Sequence, residues 1–276
     1  MFELLSNFIH EYLYLLAVFL CSQALLICIF IQSVNHIGKD GIVRYTGLQK
    51  IHENQVSRLG GLAVIAALFL FYAFSGWDNA PIMPQMLIFF IPVLLTTIPE
   101  DFHITTPPIY RLIAMAVSAI LFFTLVEIDL PVIDMPFMQP ILTFPGVLPL
   151  FYILATTLMM NGCNFIDGAN GLLLSSATVS FTALGVIVAQ YGVDGTDIIM
   201  VIIPTLLALL TTMAFNYPFG KIFLGDIGAY WIGWSLALAV IWVYGSHPDL
   251  ATWSAPLLVF YPTMEVIFSF VRKIFQ

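Results

Sequence analysis

Charge is scarce in this sequence. Only 9% of the 276 residues are charged, 8 basic and 16 acidic. A soluble globular domain carries about a quarter charged residues, so that class is excluded. Cysteine is scarce too. Cys21 and Cys28 lie on one apolar stretch and Cys163 in a polar one, with no CxxC pair, so neither a disulfide framework nor a thiolate metal site can be read. They read as small packing residues. A basic leader with a small-residue cleavage site is missing, and the first apolar run is too long for a signal peptide, so it reads as a retained span. Linkers, low-complexity tracts and internal repeats are missing as well, which leaves one domain over 1–276 as the simplest organisation.

Apolar residues fill the space that charge leaves. They make up 61% of the chain, and the mean hydropathy is +1.00. Runs of 18 or more apolar residues recur, each long enough to cross about 30 Å of hydrocarbon as a helix. The expected fold is an all-α polytopic membrane protein with about nine spans, near 12–34, 59–76, 82–99, 109–127, 147–162, 171–191, 197–216, 228–244 and 250–271. The fifth run is short and is expected to extend into the polar cluster that follows it.

With nine spans, all basic side chains fall on one side: Lys39, Arg44, Lys50, Arg58, Arg111, Lys221, Arg272 and Lys273. The opposite segments carry Glu3, Glu11, Asp78, Glu127, Asp129, Asp134, Asp194, Asp197 and Asp249. Positive loops stay in the cytoplasm, so the N-terminus is expected outside and the C-terminus inside. Trp77, Trp242, Tyr244 and Trp253 fall near the outer interface, where amphipathic rings are favoured.

Four polar clusters lie at cytoplasmic ends of spans. In "NGCNFIDGANGL", Asn161, Asn164 and Asp167 are three apart and make a slanted stripe if the helix continues through them. Their oxygens are hard ligands of the kind Mg²⁺ takes; interhelical hydrogen bonding and a plain DGANG turn are the alternative. In "FLGDIG", Asp226 either caps the following helix or holds a metal, and Gly225 and Gly228 leave room for phosphate at the helix start. In "PEDFHITTPPIYRL", Glu100 and Asp101 are paired carboxylates suited to a general base, or else a solvated loop. Pro107 and Pro108 open the next helix, and Arg111 either snorkels to lipid phosphate or binds a substrate phosphate. In "IHENQVSRLGG", Arg58 before Gly60 and Gly61 suits a phosphate, or else anchors the chain beside packing glycines; His52 alone says little.

These four fragments, in this order, resemble the polyprenyl-phosphate N-acetylhexosamine-1-phosphate transferases. The NxxNxxDGxxGL motif is matched by Asn161, Asn164, Asp167, Gly168, Gly171 and Leu172. The FxGDxG motif is matched by Phe223, Gly225, Asp226 and Gly228, and the loop with His and then GG by His52, Arg58, Gly60 and Gly61. The resemblance runs from about residue 40 to the end of the chain. It implies transfer of a sugar-1-phosphate from a UDP-sugar to undecaprenyl phosphate with release of UMP, at the cytoplasmic face of a bacterial inner membrane, initiating a cell-surface glycan. It implies Mg²⁺, with Mn²⁺ a substitute, on Asp226 with Asn164. Phe223 is then expected to stack on uracil, with Asn164, Asp167 and Asn170 lining the nucleotide pocket. Asn161, Gly225, Arg58, His52 and Arg111 are the further binding residues expected. The carboxylate pair is expected to face the lipid phosphate, with Asp101 the base.

Three departures stand out. The usual Asp-Asp pair is Glu100-Asp101, and the usual DGxDG is DGANG with Asn170. The sequence stops at "FSFVRKIFQ", where the resemblance implies a basic loop with an HxHH cluster and a final helix; this chain is expected to lack both. That ending supports the alternative expectation of an inactive or truncated homologue acting as a membrane scaffold or lipid-binding subunit. A transporter is disfavoured because Glu265 is nearly alone as an intramembrane charge. A CDP-alcohol phosphotransferase needs DGxxAR, which "DGANGL" does not supply. Lipids and the two substrates are the expected partners, with no nucleic acid, and a homodimer fits.

Overall fold

A computed structural model describes residues 2–37, 56–76, 82–102, 106–133, 139–142, 144–191 and 196–275. Among them the chain is helical, and the sole bridge-like pairing is Ser57 with Ile222. The helices are α1 (Phe2–Ile37), α2 (Gly60–Ser75), α3 (Ile82–Phe89), α4 (Ile91–Asp101), α5 (Pro108–Leu125), α6 (Gln139–Leu142), α7 (Val147–Ile166), α8 (Leu172–Tyr191), α9 (Thr196–Asn216), α10 (Gly225–Ser246), α11 (Ala255–Leu258) and α12 (Phe260–Phe275).

Six of these are long and apolar enough to cross a membrane: the parts His10–Ser33 and Ile198–Asn216 of α1 and α9, and α5, α7, α8 and α10. They coincide with six of the nine expected runs, and the protein is an integral membrane protein. The other three runs differ, each for a local reason. The second folds as α2, a shorter apolar helix. The third breaks at Phe90 into α3 and α4, bent by 53°. Pro92 at the start of α4 cannot donate to the carbonyl one turn back, the usual cause of such a kink. The ninth breaks at Val259, just ahead of Pro262, which likewise has no N–H to continue the helix from α11 into α12.

At the centre stands α10, 94% buried and contacting α2, α4, α7, α8 and α9. A helix apolar on every side belongs in a bundle interior. Between helices in lipid there is little hydrophobic drive, so close packing of small residues holds them. A side chain on Gly61 of α2 would lie 2.1 Å from the backbone nitrogen of Gly228 on α10, so glycine is obligatory at that crossing. Aromatic edges complete the core: Phe90 meets Trp231 at 5.2 Å and Phe122 meets Trp234 at 5.4 Å, while Trp234 donates to the Met86 carbonyl at 3.1 Å. Gln23 of α1 donates to the Ala208 carbonyl and to Thr212 of α9 at 2.9 and 3.1 Å.

Two smaller expectations change. Tyr244 is buried, its hydroxyl 2.6 Å from that of Ser254, whereas Trp253 is exposed as an interface anchor should be. Cys163 is a buried packing residue, but Cys21 and Cys28 are exposed on α1. Trp77 lies outside the described residues.

Candidate active site

The site is assembled on the first turn of α10. The segment before it, Ile222–Leu224, lies alongside Ser57–Gly61 like a short parallel ribbon. Phe223 donates to the Ser57 carbonyl at 2.8 Å, and Gly60 and Gly61 donate to the Phe223 and Leu224 carbonyls at 3.0 and 2.7 Å. These bonds satisfy two N–H groups that the start of α2 leaves open. The glycine pair is therefore filled by protein backbone; the room it leaves admits α10 and not a phosphate.

Gly225 takes φ +76°, a left-handed turn that favours glycine. A side chain there would meet the Arg58 carbonyl at 2.1 Å and the Asp101 carboxylate at 2.7 and 2.8 Å, so its space too is occupied by protein. Past the turn, the N–H groups of Asp226 and Ile227 donate to the two oxygens of Asp101, at 2.9 and 3.1 Å. Asp101, at the end of α4, caps α10 from another helix. The cap that the sequence offers to Asp226 is thus filled by Asp101, and Leu224 occupies the N-cap position.

Asp226 turns its carboxylate to two arginines instead. Arg58 Nη2 lies 2.9 Å from Oδ1 and Arg111 Nη1 lies 2.5 Å from Oδ2. Arg111 also approaches Glu100 Oε1 at 3.9 Å, and Arg58 approaches Asp101 Oδ1 at 4.0 Å. Arg111 therefore turns inward to the cluster and does not snorkel. Glu100 Oε2 accepts both the N–H and the hydroxyl of Thr106, each at 2.8 Å. The two carboxylates differ in access. The Asp101 side chain is fully enclosed, whereas that of Glu100 is 21% exposed.

The second wall comes from α7, which runs through Asn161 and Asn164 and ends at Asp167 as its C-cap. Asp167 is half-buried. Burial pushes its carboxyl up to about 8; Arg58 pulls it down, and the like charges of Asp226 and Asp101 raise it further. Asp167 is thus in electrostatic range of Arg58, Asp226 and Asp101. In the loop after α7, the Gly171 N–H donates to Asn216 Oδ1 at 2.6 Å, and Asn216 Nδ2 donates to the Ile222 carbonyl at 2.8 Å. Buried Asn216 thus ties the DGANG loop to the segment carrying Phe223.

Glu100, Asp101, Arg58, Arg111 and Asp226 are brought together by direct contacts, with Asp167 in electrostatic range. Asn161 and Asn164 stand on the preceding turns of α7, while Asn170 and Phe223 are half-buried on the two loops that Asn216 joins. His52 lies outside the described residues. Sequence reasoning missed Asn216, Thr106 and Tyr230. Tyr230 follows Asp226 by four residues, so it faces the same side of α10, within electrostatic range of Asp226, Arg111, Glu100 and Asp101. Asn216 had a signal as well: it is a lone amide ending an apolar helix, seven residues before Phe223.

The donors near Asp226 are hard oxygens, which suits Mg²⁺. Among the described residues, no group of three acidic, histidine or cysteine side chains could hold a metal.

The profile of glycosyl transferase family 4 matches residues 83–244. The chain is 24% identical over 226 residues to an undecaprenyl-phosphate alpha-N-acetylglucosaminyl 1-phosphate transferase of Thermotoga maritima, covering 82% of this chain and 64% of that one. It is 22% identical over 243 residues to a probable undecaprenyl-phosphate N-acetylglucosaminyl 1-phosphate transferase of Bacillus subtilis, covering 86% and 65%. A shorter match, 34% over 95 residues, covers 33% of this chain and 29% of a phospho-N-acetylmuramoyl-pentapeptide-transferase of Lacticaseibacillus paracasei. The chain thus spans a little under two thirds of the length of the first two relatives. The matched stretch holds the carboxylate pair, α7 and α10 as far as Tyr244, and on it the chain belongs to glycosyl transferase family 4.

Proposed function

We propose that this protein transfers an N-acetylhexosamine-1-phosphate, or a related sugar-1-phosphate, from a UDP-sugar to undecaprenyl phosphate, releasing UMP and starting a cell-surface glycan. The observation that carries this is the meeting of three sequence-distant segments at the start of α10, Arg58 before α2, Glu100-Asp101 ending α4 and Arg111 opening α5, with Asp167 at the end of α7 in electrostatic range. The names of the relatives supply the acceptor class.

In this reading Asp226, with Asn164, holds Mg²⁺ or Mn²⁺, which when bound neutralises the diphosphate and stabilises the departing UMP. Arg58 and Arg111 then bind diphosphate oxygens. Phe223 stacks on the uracil, and Asn161 and Asn170 line the donor pocket. An oxygen of the lipid phosphate attacks the sugar-linked phosphorus, and the bond from that phosphorus to UMP breaks. Glu100 is the accessible carboxylate, and we assign it the contact with the acceptor phosphate and its remaining proton. Asp101 is a positioning residue that fixes the first turn of α10. The chain crosses a bacterial inner membrane nine times, N-terminus outside, with the site on the cytoplasmic face.

The test is direct. Purified protein or membranes receive UDP-N-acetylhexosamines, Mg²⁺ and undecaprenyl phosphate, and UMP and glycolipid are measured. Both are expected from at least one donor, and neither from Asp226→Asn. No UMP from any UDP-sugar, or full activity in Asp226→Asn, refutes the reading.

A further inference from the structure

Asp226 is the residue given above to the divalent cation, yet its carboxylate is already engaged on both oxygens, by Arg58 at 2.9 Å and Arg111 at 2.5 Å. Its side chain is only 10% exposed. A cation entering alone must break at least one charge-assisted bond. It must then sit beside two guanidinium charges, of which that of Arg111, 17% exposed, is the less screened by water. Nor is there a cage to compensate, because no three acidic, histidine or cysteine side chains among the described residues are placed to hold a metal.

The geometry points to a charge exchange: Arg58 and Arg111 close Asp226 to a free divalent cation and release it when a diphosphate arrives to take the guanidiniums. Before binding, the Asp226 carboxylate is balanced by two arginines. After binding, the cation balances Asp226 and the diphosphate balances the arginines, so no charge loses its partner in either state. Cation and nucleoside diphosphate then bind as a unit. Their affinities are coupled, and the coupling is reciprocal. The inference rests on Asp226 being the cation's residue.

The experiment measures Mn²⁺ binding to the purified full chain in detergent by electron paramagnetic resonance, with and without UDP, with thermal unfolding as the check on folding. Without UDP, Arg111→Gln is expected to bind Mn²⁺ about tenfold more tightly than wild type. Arg111→Lys, which keeps the charge, is expected to stay within about threefold. Adding UDP tightens Mn²⁺ binding strongly in wild type and less in Arg111→Gln, and Asp226→Asn removes it in both conditions. If Arg111→Gln does not fold, Arg58→Gln carries the same expectation. If the arginine variants bind Mn²⁺ no more tightly than wild type while Asp226→Asn abolishes binding, the exchange is wrong and the cation site stands. If no protein binds Mn²⁺ even with UDP, the cation site falls and the exchange falls with it.

Discussion

The division of labour between Glu100 and Asp101 can be separated by two isosteric substitutions. Asp101→Asn leaves one carbonyl oxygen where two carboxylate oxygens now accept N–H groups at 2.9 and 3.1 Å, and it turns an amide N–H₂ toward a donor. One charge-assisted hydrogen bond is lost and one buried N–H is left unsatisfied. Bonds to charged groups are worth about 1.5–3 kcal/mol, and loss of a helix cap costs roughly 0.5–2 kcal/mol. Both figures describe the same contact, so the cost of Asp101→Asn is about 1.5–3 kcal/mol, which lowers the unfolding midpoint by roughly 3–12 °C for a chain of this size. Glu100→Gln keeps an oxygen for Thr106 and changes a side chain that is already partly exposed, so the midpoint should barely move. Its turnover should fall by about 10²–10⁴, the range for losing a positioned acid–base group. The assay pairs thermal unfolding in detergent with UMP release at saturating donor and acceptor. If Asp101→Asn is as stable as wild type and loses turnover as fully as Glu100→Gln, Asp101 takes part in the chemistry and the capping argument is refuted.

Three further outcomes follow from contacts already described. Gly61→Ala places a methyl 2.1 Å from the Gly228 nitrogen, backbone that cannot yield without separating α2 from α10; folded yield in detergent should collapse. Asn216→Ala strips a partner from the Gly171 N–H and the Ile222 carbonyl, about 1–3 kcal/mol for each group left buried. It should raise KM for the UDP-sugar more than it lowers kcat, and an unchanged KM would argue against a link between the two loops. Removing divalent cations with a chelator should abolish UMP release, and Mg²⁺ or Mn²⁺ should restore it; activity that persists in excess chelator would count against Asp226 as a metal residue.

The long helices were legible because hydropathy reports them directly: α5, α7, α8 and α10 lie where apolar runs of span length predict them. The breaks at Phe90 and Val259 were not, because an average over a window cannot sense a 53° bend, and Pro92 and Pro262 count as ordinary members of a greasy run. The site divides along the same line. Residue types at span ends made Asp226, Asp167 and the carboxylate pair candidates, each beside a structural alternative, and the resemblance of the four fragments in order singled them out. Which acid does what was not legible. Asp226 stands at the start of its own helix, so local sequence offers it the cap. The left-handed turn at Gly225 instead directs the first N–H groups of α10 toward α4, 125 residues earlier in the chain, and Asp101 takes them. That substitution of one acid for another is what leaves the Asp226 carboxylate available to Arg58 and Arg111. The pairings across 168 and 115 residues depend on it, so an Asp101 variant that keeps its fold should also disturb how tightly the arginines hold Asp226.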